Sequence, residues 1–113
     1  MRPKIYVAYA YGQRRNLSVD EREANALAAA MIARDLILKG WNPFVPNLFH
    51  WVHAGWSETP DEGAWGKMVS EWIPVCDAFF MGAWTEGCLL ELGFASELRK
   101  TIYYFLEEVP DRT

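Results

Sequence analysis

Two spacings of hydrophobic and polar positions alternate along this chain. Residues 4–10, KIYVAYA, are β-branched, aromatic or small with no polar break after Lys4 and lead to Gly12, the pattern of a first strand covered on both faces. From Ser18 the spacing becomes helical. Ala29, Ile32, Ala33 and Leu36 recur at intervals of three and four, Ser18 and Glu21 form a capping-box pair, and Gly40 stands at a natural helix stop. These signals predict a helix from about Val19 to Lys39.

WNPFVP predicts a short second strand, kept near a sheet edge by Pro43 and Pro46. The aromatic stretch NLFHWVHAGWSETPDEG then reads as a long connection, of a length that often walls a pocket. A second helix is expected from near Asp61 to Trp72, stopping before Pro74. VCDAFFMGAW gives a third strand, TEG turns the chain into a third helix, and TIYYFLE gives a fourth strand. The order β-α-β-α-β-α-β implies an α/β three-layer sandwich with a mostly parallel four- or five-stranded sheet of flavodoxin or Rossmann-like type. In such sheets ligands gather beyond the carboxyl ends of the strands, so the loops at 11–18 and 82–87 should share one crevice.

One residue breaks the pattern of the third helix. In TEGCLLELGFASELRK, residues 85–100, Cys88, Leu90, Leu92, Phe94, Ala95 and Leu98 fall on one broad apolar side, and Glu91 falls between Leu98 and Ala95. A carboxylate there, near the helix start and the expected crevice, suits a nucleophile or an electrostatic stabiliser. The competing reading is a packed stem with its head in water.

Composition narrows the setting. A chain of 113 residues that is 51% hydrophobic supports one domain over its whole length, residues 1–113. A net charge of −4 argues against a nucleic-acid polymer as partner while leaving room for a single nucleotide. Cys76 and Cys88 lack metal-ligand spacing and read as core thiols in a reducing cytoplasm; no run suits a signal peptide or membrane span. His50 and His53 lie three apart without a third ligand nearby in sequence, so no metal is expected.

The run CDAFFMGAWTEGCLLELGFA, in which an Asp opens an apolar strand and E-L-G-x-A follows on a helix, resembles nucleoside 2-deoxyribosyltransferases and the related 2′-deoxynucleoside 5′-phosphate N-hydrolases. KIYVAYAYG resembles their first strand and glycine-containing loop. The resemblance implies that Glu91 is the nucleophile on the anomeric carbon, that Thr85 and Gly87 seat a 5′-phosphate, and that the loop at Gly12 and Arg14 wraps sugar and phosphate. It also implies a nucleoside or nucleotide substrate, no cofactor, and assembly as a homodimer or higher oligomer.

Further candidates come from their positions. Tyr9 and Tyr11 offer phenols to sugar or carboxylate, Asp77 is a turn cap with a possible substrate contact, and Trp51, Trp56, Trp65 and Trp84 offer stacking faces for a base. Gly93 and Ala95 read as packing positions. The pattern departs from the family at Val69, where relatives resemble one another in carrying a second acid; Asp61, Glu62, Glu71 and Glu86 are the nearby acids. Two alternatives to an N-glycosidase or deoxyribosyltransferase follow. One is a non-catalytic nucleotide-binding module of the same fold. The other, ranked lower because P-G-G-x-G-T is missing, is a Rossmann-like phosphoribohydrolase.

Overall fold

In the computed structural model of the chain, residues 1–11, 17–53 and 62–113 are described, apart from the side chains of residues 53, 62 and 63. Four strands, β1 (Lys4–Ala8), β2 (Asn42–Phe44), β3 (Ala78–Met81) and β4 (Thr101–Tyr103), form one sheet in the order β2-β1-β3-β4. All three pairings are parallel. The helices are α1 (Val19–Leu38), the short α2 (His50–His53), α3 (Glu62–Trp72) and α4 (Glu86–Glu97).

Strand alternation sorts the core into two layers. Ile5 and Val7 of β1, with Ala78 and Phe80 of β3, pack against Ala29, Ala33 and Leu36 of α1. Tyr6 and Ala8, with Phe79 and Met81, face Ile73 and the α4 residues Cys88 and Ala95. The expected three-layer architecture is therefore present, and β1 and β3 are buried on both faces, as their unbroken apolar runs require.

Aromatic side chains tie the α4 layer together. Tyr6 pairs in register with Phe44 on one side and Phe79 on the other. Its ring stacks on Phe79 at 5.5 Å and meets Phe44 at 5.7 Å, and Phe44 stacks on Trp72 at 4.3 Å. Neighbouring aromatic pairs of this kind hold register as well as area.

The helix ends follow the local sequence. Ser18 Oγ accepts from Glu21 N, and Glu21 Oε1 accepts from Ser18 N, which completes the capping box of α1. At its other end Trp41 N donates to Leu36 O and Gly40 N to Ile37 O, a Schellman closure with Gly40 at φ 89°. The same closure ends α4, where Lys100 N donates to Ala95 O and Arg99 N to Ser96 O. Here the left-handed position is filled by Arg99, at φ 58°.

Three stretches differ from expectation. The first half of the long connection is ordered as a 3-10 turn, Pro46–Phe49, running into α2, with Pro46 at a favoured first position and Asn47 buried. TIYYFLE leaves the sheet after Tyr103, because Tyr104 N and Phe105 N both donate to Glu108 Oε1 and a 3-10 turn at Leu106–Glu108 follows. Leu90 and Leu98, expected on the covered side of α4, are exposed, and Gly93 is exposed with open space around an added Cβ. The packing role expected of both small residues therefore holds for the buried Ala95 and not for Gly93.

Arg99 generates a stability prediction. A side chain in the left-handed region carries a steric cost that glycine avoids. Arg99→Gly should stabilise the fold by about 1 kcal/mol, partly offset by the entropy of the unfolded chain. Thermal unfolding should show a rise of up to about 4 °C. A lower melting temperature would contradict this account of the α4 stop.

Candidate active site

The strand order reverses at β1 and β3: from β1 the chain crosses to β2 on one side, and from β3 to β4 on the other. Beyond the carboxyl ends of such a strand pair the outgoing segments diverge and leave a crevice. A cavity of about 430 Å³ lies there, walled by the end of β1, the segment from Pro46 to His50, α3 and the first turns of α4. At Gly82, immediately after β3, the backbone passes so close to β1 that an added Cβ would lie 2.8 Å from Ala8 O. Glycine is what permits the two strand ends to meet at the cavity edge.

Glu91 lines this cavity, and the phenol of Tyr6 donates a hydrogen bond to its Oε2. Tyr6 is fully buried, enclosed by Phe44 and Phe79, so its hydroxyl must find an acceptor inside the protein. Burial first, and then the charge and hydrogen bond of Glu91, push the Tyr6 phenol well above its ordinary range. The phenol therefore keeps its proton and donates. Donation stabilises the charged form of a carboxyl group and fixes one of its oxygens. Glu91 is half-buried, and its head is directed by a strand residue 85 positions earlier.

Thr85 and Gly87 line the same cavity. Thr85 is the N-cap of α4, its Oγ1 accepting from Cys88 N at 3.2 Å. The positive end of the helix thus points into the site that Glu91 borders. Val69 and Ser70 of α3 and Glu86 also line it, whereas Glu71 is exposed and outside its wall. Cys88 lies in the wall as a core thiol, raised by burial, and Cys76 is pushed up to about 11 by burial first and then by Asp77.

The segment from Pro46 to His50 supplies a polar wall that the sequence reading left within a loop. Asn47 Nδ2 donates to Ala10 O at 2.9 Å, tying this segment to the exit of β1. His50 is 3% exposed, and its Nδ1 lies 2.7 Å from Tyr11 Oη. Tyr9 and Tyr11 both line the cavity; Tyr9 also packs against the α1-side core, while Tyr11 belongs to the polar wall. Trp65 joins the wall too.

Other candidates are placed elsewhere. Asp77 stands at the amino ends of β1 and β3, where its Oδ2 accepts from Lys4 N at 2.8 Å and its own N–H donates to Lys4 O. That is the far end of the sheet from the cavity, so Asp77 clamps two strands. Trp84 is 64% exposed and stacks on Tyr104 at 5.7 Å, outside the cavity wall. Trp51 is also exposed. Gly12, Arg14, Trp56 and Asp61 lie outside the described residues, as does the side chain of Glu62. Among the described residues no group of three or more His, Cys, Asp or Glu side chains is placed to hold a metal, and no helix is long and apolar enough to cross a membrane.

No protein-family model and no curated protein matches the chain. Solved structures do share its fold. One is a 2-desoxiribosyltransferase from Leishmania mexicana, with TM-score 0.61, 19% identity, and coverage of 91% of this chain and 63% of that one. Another is a CMP N-glycosidase from Clostridium botulinum, with TM-score 0.54, 20% identity, and coverage of 96% and 83%. The chain thus has the α/β fold of deoxyribosyltransferase-type proteins, over less than two thirds of the length of the first.

The Tyr6 environment sets a pH prediction. A phenol whose folded pKa is raised favours folding fully below the unfolded value of about 10, and that contribution is lost as pH rises towards the folded value. Denaturant unfolding should show stability declining above about pH 10, and less steeply in Tyr6→Phe. The two buried thiols are present in both proteins, so the difference reports Tyr6 together with its coupling to them. Equal slopes would contradict the burial and pairing of this phenol.

Proposed function

We propose that this protein cleaves the N-glycosidic bond of a nucleoside or nucleoside monophosphate, passing the sugar to water or to another base, with Glu91 as nucleophile. The observation that carries the reading is Glu91 at the cavity wall with one carboxylate oxygen held by the buried Tyr6 phenol. The fold shared with a 2-desoxiribosyltransferase and a CMP N-glycosidase supports the same class of reaction.

As the bond from C1′ to the base nitrogen breaks, its electron pair leaves with the base and positive charge grows on the sugar. A Glu91 oxygen bonds to C1′, and Tyr6 keeps the carboxylate aimed while donating to it. An acceptor then attacks C1′, loses its proton and frees Glu91. The mainly apolar wall, with Val69, Ile73 and Phe94, strengthens these charge interactions relative to water. Thr85 and Gly87 at the α4 start suit a sugar 5′-phosphate. Tyr9, in the cavity wall, suits a contact with the sugar, and the sequence resemblance assigns Gly12 and Arg14 to the sugar and phosphate. No metal or organic cofactor enters the proposal.

A second reading follows from Val69. Its apolar side chain lies in the cavity wall where the family pattern has an acid, which suits a module that binds a nucleotide without cleaving it. The exposed Leu89 and Leu90 on α4 fit self-association next to the cavity, with a homodimer or higher oligomer in the cytoplasm as the working form.

Chromatography of purified protein with ribo- and deoxyribonucleosides and their monophosphates tests the first reading. Wild type should release free base, and Glu91→Gln should lose at least about a thousandfold in kcat with its melting temperature preserved, since the nucleophile itself is removed. Base release by Glu91→Gln at the wild-type rate would remove Glu91 from the chemistry. Thermal stabilisation by a nucleotide with no base released would favour the binding module.

A further inference from the structure

The polar wall formed by Tyr11, Asn47 and His50 has no task in the chemistry of Glu91, yet it is built with care. His50 is almost completely buried in a short helix, and Tyr11 holds its Nδ1. Tyr11 is itself fixed: Asn25 Nδ2 donates to its carbonyl at 3.1 Å, and the Arg22 guanidinium lies 5.9 Å from its ring centre. Asn47, one turn before His50, anchors the same segment to Ala10. The imidazole is therefore held from α1, from the end of β1 and from its own turn.

One nitrogen of that imidazole is committed to Tyr11. The other, Nε2, makes no hydrogen bond among the described residues, although the ring lines the cavity that Glu91 also lines. That nitrogen is open to the cavity rather than sealed in the core, and so is available to a partner placed there. A departing nucleobase is such a partner, because it carries away the electron pair of the broken bond and leaves more readily when a proton reaches it. The other groups in the wall suit this task less well. Glu86 is exposed, Glu91 is the group that bonds to the sugar, and the Cys88 thiol belongs to the core.

We infer that His50 is the proton donor to the leaving base, with Tyr11 as the positioning residue that holds it. This rests on the N-glycosidic reading above. Tyr11 Oη accepts from Nδ1–H, and Nε2 carries the transferable proton. As the bond from C1′ to nitrogen breaks, that proton moves to a ring nitrogen or carbonyl oxygen of the base. The imidazolium becomes neutral imidazole, still bonded through Nδ1–H to Tyr11, the Glu91 carboxylate becomes a glycosyl ester, and water restores the proton. Imidazole suits this exchange because each of its two nitrogens can hold a proton, one fixed by Tyr11 and the other facing the cavity.

The test compares leaving groups on a constant sugar. Wild type, His50→Gln and Tyr11→Phe are assayed on the best nucleotide substrate and on the 4-nitrophenyl glycoside of the same sugar, whose leaving group departs as a stable anion without a proton. His50→Gln should lower kcat on the nucleotide by about a hundredfold or more, the usual span of general acid catalysis, and by at least tenfold less on the nitrophenyl glycoside. Tyr11→Phe should show a smaller loss with the same dependence on leaving group. Equal losses on both substrates, or none on the nucleotide, overturn the role of His50 while leaving that of Glu91 intact. If His50→Gln does not fold, Tyr11→Phe decides by the same comparison. Failure of wild type to cleave either substrate overturns the N-glycosidic reading, and the proton donor with it.

Discussion

A phenol in the middle of a buried strand has to hydrogen-bond to protein, and at Tyr6 the acceptor is the carboxylate of Glu91. That one requirement couples the centre of the sheet to the second turn of α4. It fixes the rotation of the helix about its axis, because Cys88 and Ala95 must reach the core while Glu91 reaches Tyr6. A carboxylate turned towards open solvent would leave the Tyr6 hydroxyl buried without an acceptor, at about 1–3 kcal/mol. The placement of Glu91 in an apolar stripe thus has a structural reason in that bond.

The rest of the architecture brings surfaces to that bond. Parallel β1 and β3 lie side by side, and their outgoing chains part to opposite sides, which opens the cavity at their carboxyl ends. Gly82 lets the strand ends close on one another, Thr85 caps the helix that starts there, and the turn at Pro46 brings Asn47 and His50 back over the exit of β1. The amino ends of the same strands carry a different device. Asp77 accepts from Lys4 and ties β3 to β1 far from the cavity, so it clamps the sheet while Glu91 lines the cavity at the other end.

Much of this was legible in the sequence because it is local. The capping box at Ser18, the stop at Gly40, the edge strand at Pro43 and the apolar runs of β1 and β3 are decided within a few residues, and each lies where its pattern placed it. Glu91 stands out by its place in an apolar stripe, Thr85 and Gly87 by the family resemblance and Tyr9 by its position, and all four line one cavity. Tyr6 escaped because a strand pattern says which face a residue takes and says nothing of a partner 85 positions away. Its one signal was a hydroxyl among fully buried neighbours. His50 and Asn47 lie in a stretch whose pattern reads as a connection, and Pro46, expected to keep the second strand near an edge, opens a 3-10 turn there. Trp84 misled because a large aromatic next to a crevice suits stacking on a base, whereas its actual stacking partner is Tyr104.

The central claim is that Glu91 forms a covalent bond to the sugar. The most direct measurement is the intact mass of the protein after incubation with a 2′-fluoro-arabino nucleotide, in which fluorine slows release of the glycosyl-enzyme, followed by peptide mapping. The account predicts a mass increase equal to one fluorinated sugar, with its phosphate where present, located on Glu91 and absent from Glu91→Gln. Base release from the same analogue with the added mass on another residue, or with no added mass at any time during turnover, would contradict it.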